Sequence, residues 1–252
     1  MSEITIINSS LALAGFTSGN EGIWTRTEPF DPPTDDYTAL SKRLQVPLTR
    51  IIRPYQAGGN RVETVTAEHG GSGVIKDDPF KKVDGLVTVE KGLVLSVIAA
   101  DCVPVYLIEK SAGVIGLLHC GWRSAAGAIL HNGVECMKNL GASPAEIQMI
   151  IGPHICADCF EVGEEVRNEY AKVFTPKELE ALFKSQDKSI YLVLSEAIQI
   201  KAENEGILRE NISEVKECTC HDKSFYSYRR GDRGRQDLAY LMIKPTKKAT
   251  SY

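Results

Sequence analysis

Cys102 and His119 are the reactive side chains that stand out in this sequence, because each is set in an otherwise apolar run. Cys102 opens the run VPVYLI, and His119 closes the run GVIGLL. Asp101 precedes Cys102, and Arg123 follows His119 by four residues. A thiol, an acid, an imidazole and a guanidinium in such surroundings cost free energy unless they are paired, so they are candidate chemistry. Two chemistries suit them. A Cys and a His with a further donor and an open position can hold a metal that activates water or binds a phosphate oxygen. Without a metal the same pair is a thiolate–imidazole couple, a nucleophile with its base. Asp101 reads either as the partner that orients His119 or as a satisfied buried acid.

Other residues are candidates for binding. Arg229, Arg230, Arg233 and Arg235 cluster beside Tyr226 and Tyr228. The plain reading is a solvated loop. The sharper one is an anion clamp, since guanidinium forks match oxyanions and a tyrosine can stack on a base. Arg123, beside Trp122, is a second candidate oxyanion ligand. Cys156-x-x-Cys159 and Cys218-x-Cys220-His221 have spacings that suit zinc, but they lie far apart in the chain and read as free thiols near turns. A redox CxxC is disfavoured because no βαβ pattern surrounds it.

The elements that must position these groups follow from periodicity. Short apolar runs at 93–100, 100–108 (with Asp101 and Cys102 inside it) and 114–120 read as buried strands, with a polar turn at 109–113 between the last two. After residue 122 the period changes: Ala126, Ile129, Leu130, Gly133, Met137 and Leu140 fall on one helical face, with Ser124 as a start and Gly141 as an end. Residues 3–30 are expected to hold two short strands or a hairpin with Gly15, Gly19 and Gly22 between them. Further strands are expected near 49–52, 60–66, 84–88, 147–151 and 215–220, and helices at 36–45, 164–173 and across 176–205. Residues 27–37, rich in Pro and Asp, read as a loop. The class is α/β (α+β): a single domain over residues 1–252 around a large mixed β-sheet with flanking helices, ending in a frayed tail at 244–252.

Composition excludes several alternatives. The 252 residues suffice for a substantial core, and 43% hydrophobic with 25% charged content is ordinary for a globular protein. A net charge of −4 argues against a nucleic-acid binder. No apolar run is long enough to span a membrane, and the first residues lack signal-peptide character. Seven cysteines, mostly in apolar or motif-like stretches, fit a reducing cytoplasm.

Five blocks carry a resemblance when taken together and in order: ADCVPV at 100–105, HCGWR at 119–123, IGP at 151–153 with FEVG at 160–163, CT at 218–219, and FYSYRR at 225–230 with GR at 234–235. Over roughly residues 45–240 the chain resembles the laccase-domain family, also called multicopper polyphenol oxidase-like or YfiH-type proteins. The resemblance implies a fold similar to that of putative cysteine hydrolases. It also implies purine nucleoside phosphorylase activity, with adenosine deaminase and methylthioadenosine phosphorylase activities beside it. The substrates would be a small-molecule nucleoside and phosphate, with Cys102 and His119 in the catalytic centre.

The resemblance further implies a zinc site of one Cys and two His, falling on Cys102 and His119. The family's first histidine belongs to a Gln-x-His-Gly-like motif. Here that stretch is QAGGN at 56–60, which puts Gly58 at the histidine position. His69 is the nearest alternative third ligand. Copper is disfavoured, because five scattered histidines are too few for a multicopper set. Two rival readings share these residues: a metal-free Cys–His hydrolase acting on an amide of cell-wall type, and a non-catalytic paralogue that has lost its metal.

Overall fold

A computed structural model describes residues 3–19, 21–24 and 34–245. Most of the loop expected at 27–37 and the tail from 246 onward lie outside them. β1 (Ile4–Asn8) and β2 (Ala12–Phe16) form a hairpin, followed by α1 (Thr34–Leu44). β3 (Ile51–Ile52), β4 (Val62–Thr64), β5 (Gly85–Thr88) and β6 (Val94–Ala99) lead to β7 (Val103–Glu109) and β8 (Val114–Cys120). Next come α2 (Trp122–Ala126), α3 (Ile129–Asn139), β9 (Gln148–Ile151), β10 (Glu161–Val162), α4 (Glu164–Tyr170) and α5 (Pro176–Leu182). β11 (Phe183–Gln186), β12 (Ser189–Leu192), α6 (Leu194–Asn204), β13 (Ile212–Glu214) and β14 (Asp237–Ile243) complete the order.

The strands form two large mixed sheets and one small one. The first runs β1-β2-β14-β6-β3, the second β13-β9-β7-β8-β5-β4, and the third β10-β12-β11. Alternation along the central strands explains how they stack. In β6, Leu95, Val97 and Ala99 join a core shared with Tyr106 and Ile108 of β7 and Ile115 and Leu117 of β8. That core binds the two large sheets face to face. Val94 and Ile98 point the other way, onto Tyr37, Leu40 and Leu44 of α1. Val105, Leu107 and Leu118 cover the outer face of the second sheet, against α3 and α6. The result is four layers: helix, sheet, sheet, helices. Strands buried on both faces read as continuous apolar runs, which is how β6, β7 and β8 read. Each large side chain so buried contributes about 1.5–3 kcal/mol.

Four expectations need correction. The helix expected from Ser124 to Gly141 is broken into α2 and α3, because Asn60 occupies the space beside the break. A Cβ on Gly127 would lie 2.4 Å from Asn60 Oδ1, and that oxygen accepts the Ala128 N–H at 3.1 Å. Residues 176–205 are not helical throughout. The helix stops at Leu182, where Phe183 turns extended, and β11 and β12 form a hairpin whose turn includes Asp187 at a positive φ (54°). The strand expected at 215–220 ends instead at Glu214, and Cys218 makes only an isolated bridge with His154. β14, which was not anticipated, is buried along its whole length between β2 and β6.

Candidate active site

Residues 100–102 cross from β6 in one sheet to β7 in the other, so they turn the corner at one end of the sandwich. Asp101 takes a positive φ (82°) there, a conformation that Asp tolerates better than most residues. Its carboxylate fixes the corner. Oδ1 accepts Thr219 Oγ1–H at 2.7 Å, and Oδ2 accepts Ser227 Oγ–H at 3.0 Å and the Arg229 amide at 2.7 Å. The expected catalytic role for Asp101, orienting His119, is therefore replaced by another. It ties the 219–229 segment to the corner.

Cys102 follows directly, and its sulfur lies against Gly121, where an added Cβ would sit 3.3 Å from Sγ. His119, paired with Pro104 across the β7–β8 hairpin, lines the same cavity as Cys102 and lies near enough for the thiol to act on its charge. The hairpin has therefore brought the two residues together, as the strand spacing implies. The partner that orients His119 is Asp84, 2.9 Å from Nδ1 and fully buried. Asp84 stands just before β5 and also accepts the amides of Ala57, Gly58 and Gly59 at 3.1, 2.8 and 2.8 Å. Gln56 holds that loop against β6 by exchanging two hydrogen bonds with Ile98, at 2.8 and 2.7 Å.

The electrostatics follow from this geometry. Burial alone would raise the Asp84 carboxyl, but His119 and the amides of Gly59 and Ala57 outweigh it and hold the group below its usual range. Burial likewise opposes a charged His119, yet Cys102 and Asp84 push its pKa up to about 10. Asp84, His119 and Cys102 thus form a relay of carboxylate, imidazolium and sulfur. The sequence offered one signal for Asp84, an acid at the head of an apolar strand. Its link to His119 is an antiparallel pairing of β5 with β8 that local spacing does not reveal.

The relay opens into a cavity of about 460 Å³. Cys102, His119, Gly58, Tyr228, Arg229 and Arg235 all line it. The other candidate residues lie elsewhere. Arg230 donates to the carbonyls of Thr219, Cys220 and Phe225 and pairs with Asp232, so it serves the loop and does not line the cavity. Arg123 stacks on Trp122, 4.0 Å from the ring centroid, and faces a different groove. Even Arg229 spends two donors on the carbonyls of Cys159 and Glu161, at 3.1 and 2.7 Å. Arg235, by contrast, lines the cavity; its amide donates to the Asp232 carbonyl at 3.2 Å, while its guanidinium makes no hydrogen bond or ion pair among the described residues.

The third metal ligand is likewise corrected. His69 Nδ1 accepts the Thr66 amide at 3.0 Å, and its ring packs on Phe80 with centroids 4.9 Å apart. It lines no part of the cavity and forms no close ligand group with Cys102 and His119. Gly58 does line the cavity, but it offers no donor. Two protein ligands converge here, not the three that a catalytic zinc needs, so the donor set does not make that centre. A different group does have metal-ligand geometry. The ligand atoms of Cys156, Cys159, Cys218 and His221 all lie within 4.8 Å of one another. The fold has joined the two halves that looked unrelated in the sequence.

Fold and site together define a four-layer α/β protein with a Cys–His–Asp centre at one end of a double sheet. The family model of the multi-copper polyphenol oxidoreductase laccases matches residues 31–244, and the chain belongs to that family. An adenosine deaminase from an unknown prokaryotic organism is 33% identical over 199 residues, covering 78% of this chain and 76% of the relative. A purine nucleoside phosphorylase of Streptomyces coelicolor is 35% identical over 199 residues, covering 79% of this chain and 77% of that protein. Among solved structures, the hypothetical protein YfiH of Bacillus licheniformis superposes with a TM-score of 0.85 at 26% identity, covering 96% of this chain and 97% of that one. No helix among the described residues is long and apolar enough to cross a membrane.

Proposed function

We propose that this protein is an enzyme that cleaves purine nucleosides with phosphate, with adenosine deamination and methylthioadenosine phosphorolysis as side activities. The observation that carries this reading is one cavity lined by Cys102 and His119, the latter held by Asp84, together with Tyr228, Arg229 and Arg235. Its volume falls in the range of small-molecule sites. In phosphorolysis the C1′–N9 bond breaks, a C1′–O bond to phosphate forms, and the departing purine takes up a proton. His119, held protonated between Asp84 and Cys102, can donate a hydrogen bond or a proton to the leaving base. The Arg235 guanidinium suits the phosphate, and Tyr228 suits the face of the purine. A metal held by Cys102 and His119 would supply a Lewis acid, but with Gly58 in the wall we expect weak binding there. The free thiols are compatible with a reducing cytoplasm.

The test is a nucleoside panel incubated with and without phosphate, with free base and ribose phosphate quantified. Phosphate-dependent base release should fall at least a hundredfold in Cys102→Ala, which loses little volume and stays folded. In Arg235→Ala the apparent KM for phosphate should rise more than that for nucleoside, because only phosphate is charged. Full turnover by folded Cys102→Ala would overturn the assignment. The relay itself also favours a second reading, a metal-free thiol hydrolase of amides, since carboxylate, imidazole and thiol stand in the order such enzymes use. In that case turnover needs no phosphate, and a substrate acyl group becomes trapped on Cys102.

A further inference from the structure

We propose that Cys156, Cys159, Cys218 and His221 bind one zinc ion in a tetrahedral site of three sulfurs and one nitrogen, distinct from the Cys102–His119 centre. Local structure prepares each half. Cys156 precedes a 3-10 turn over Ala157–Cys159, and a residue three places on in such a turn lies on the same side. Cys156 and Cys159 are thus delivered together. On the other strand of chain, Asp222 N–H donates to the Cys218 carbonyl at 2.9 Å, which curls His221 back toward Cys218. The halves meet through the bridge between His154 and Cys218, with Thr219 N–H donating to the His154 carbonyl at 3.1 Å.

The donor atoms converge as ligands do. His221 Nδ1 lies 3.7 Å from Cys156 Sγ, and the Cys156 amide donates to Cys218 Sγ at 3.2 Å. Backbone N–H groups aimed at a sulfur stabilise its thiolate form and take up the negative charge that three thiolates leave around a divalent ion. The alternative occupants of this space are thiols, which are weak hydrogen-bond donors to one another. A borderline-soft ion with no geometric preference suits sulfur and imidazole at a tetrahedral spacing, and that ion is zinc. On binding, three metal–sulfur bonds form and three S–H protons pass to solvent.

The position gives the ion a structural task. Phe160, directly after Cys159, lines the active-site cavity, and Arg229 is anchored on the carbonyl of Cys159. The ion would clamp the 156–162 loop to the 218–229 segment, so that the cavity wall built by Phe160, Tyr228 and Arg229 is held in place.

The test is metal analysis of full-length protein purified without chelator or metal-affinity resin, followed by zinc titration of the stripped protein. About one zinc per chain is expected. The X-ray absorption spectrum should show three sulfurs at about 2.3 Å and one nitrogen at about 2.0 Å. His221→Ala should weaken zinc binding at least tenfold, and Cys102→Ala should leave it unchanged. Should Cys159→Ser or His221→Ala fail to fold, the parent loaded with cobalt(II) alone still decides. A strong thiolate-to-cobalt absorption that persists in Cys102→Ala supports the site. A metal-free parent that does not take up added zinc would overturn it. So would zinc that is lost in Cys102→Ala but retained in His221→Ala. None of these outcomes depends on nucleoside cleavage.

Discussion

Gly58 separates two chemistries at one position. It lines the cavity beside Cys102 and His119, its amide holds Asp84 at 2.8 Å, and a Cβ built on it meets nothing within 4 Å. Its φ of +70° lies in the left-handed region, where a side chain costs about 1–2 kcal/mol and histidine is among the better-tolerated residues. There is therefore room for an imidazole aimed at the relay, with the backbone hydrogen bond to Asp84 unchanged. Gly58→His should raise zinc affinity at Cys102 and His119 by about tenfold or more, since it supplies the third ligand. The measurement is a zinc titration in a His221→Ala background, which removes the other cluster. His69→Ala should change nothing, because His69 is occupied by Thr66 and Phe80. Unchanged affinity in Gly58→His would show that position 58 does not face a metal position.

At the scale of elements, the break between α2 and α3 is set by a side chain from elsewhere in the chain. Asn60 fills the space beside Gly127, caps Ala128 through Oδ1, and accepts the Asn132 side chain on its own carbonyl at 2.7 Å. Gly127→Ala should cost about 1–3 kcal/mol through this clash. In an Asn60→Ala background that cost should shrink, leaving a measurable coupling between the two positions in denaturant unfolding. Additive effects would mean that Asn60 does not hold the break.

The same pair shows what could be read from the sequence and what could not. The β7–β8 hairpin, the helix face from Ile129 to Met137 and the meeting of Cys102 with His119 all follow from local periodicity. The helix break, the Asp84 partner of His119 and the joining of Cys159 to His221 depend on contacts between distant segments, which periodicity does not record. By the rule that picks out β6, β7 and β8, the continuous apolar run LAYLMI at 238–243 carries a strand signal too. What local periodicity does not carry is its place between β2 and β6, which rests on pairings with distant strands.

For the molecule as a whole, the two stacked sheets impose a pH dependence through one acid. Asp237 begins β14 at the centre of the first sheet and is fully buried. Its Oδ2 accepts the Tyr226 amide at 2.7 Å, while Oδ1 has no hydrogen-bond partner. Burial pushes its pKa up to about 8, against the opposing effects of the Tyr226 amide and Arg230. The folded state therefore holds a proton that the unfolded chain, titrating near 3.9, has already lost at neutral pH. Below about pH 4 both states are protonated and Asp237 exerts no penalty. From there to about pH 8 unfolding releases the proton, so stability declines as pH rises, by an amount on the order of a few kcal/mol. Asp237→Asn keeps the shape of the protonated acid and its acceptor for Tyr226, and it removes the titration. Thermal unfolding of parent and variant from pH 5 to 9 should show the parent losing stability relative to the variant as pH rises. The two curves should run parallel above about pH 8, where Asp237 is ionised in both states. A constant difference across the whole range would mean that Asp237 is already ionised in the folded protein at pH 5. The inward-facing charge would then have to be balanced by Arg230 across the start of β14.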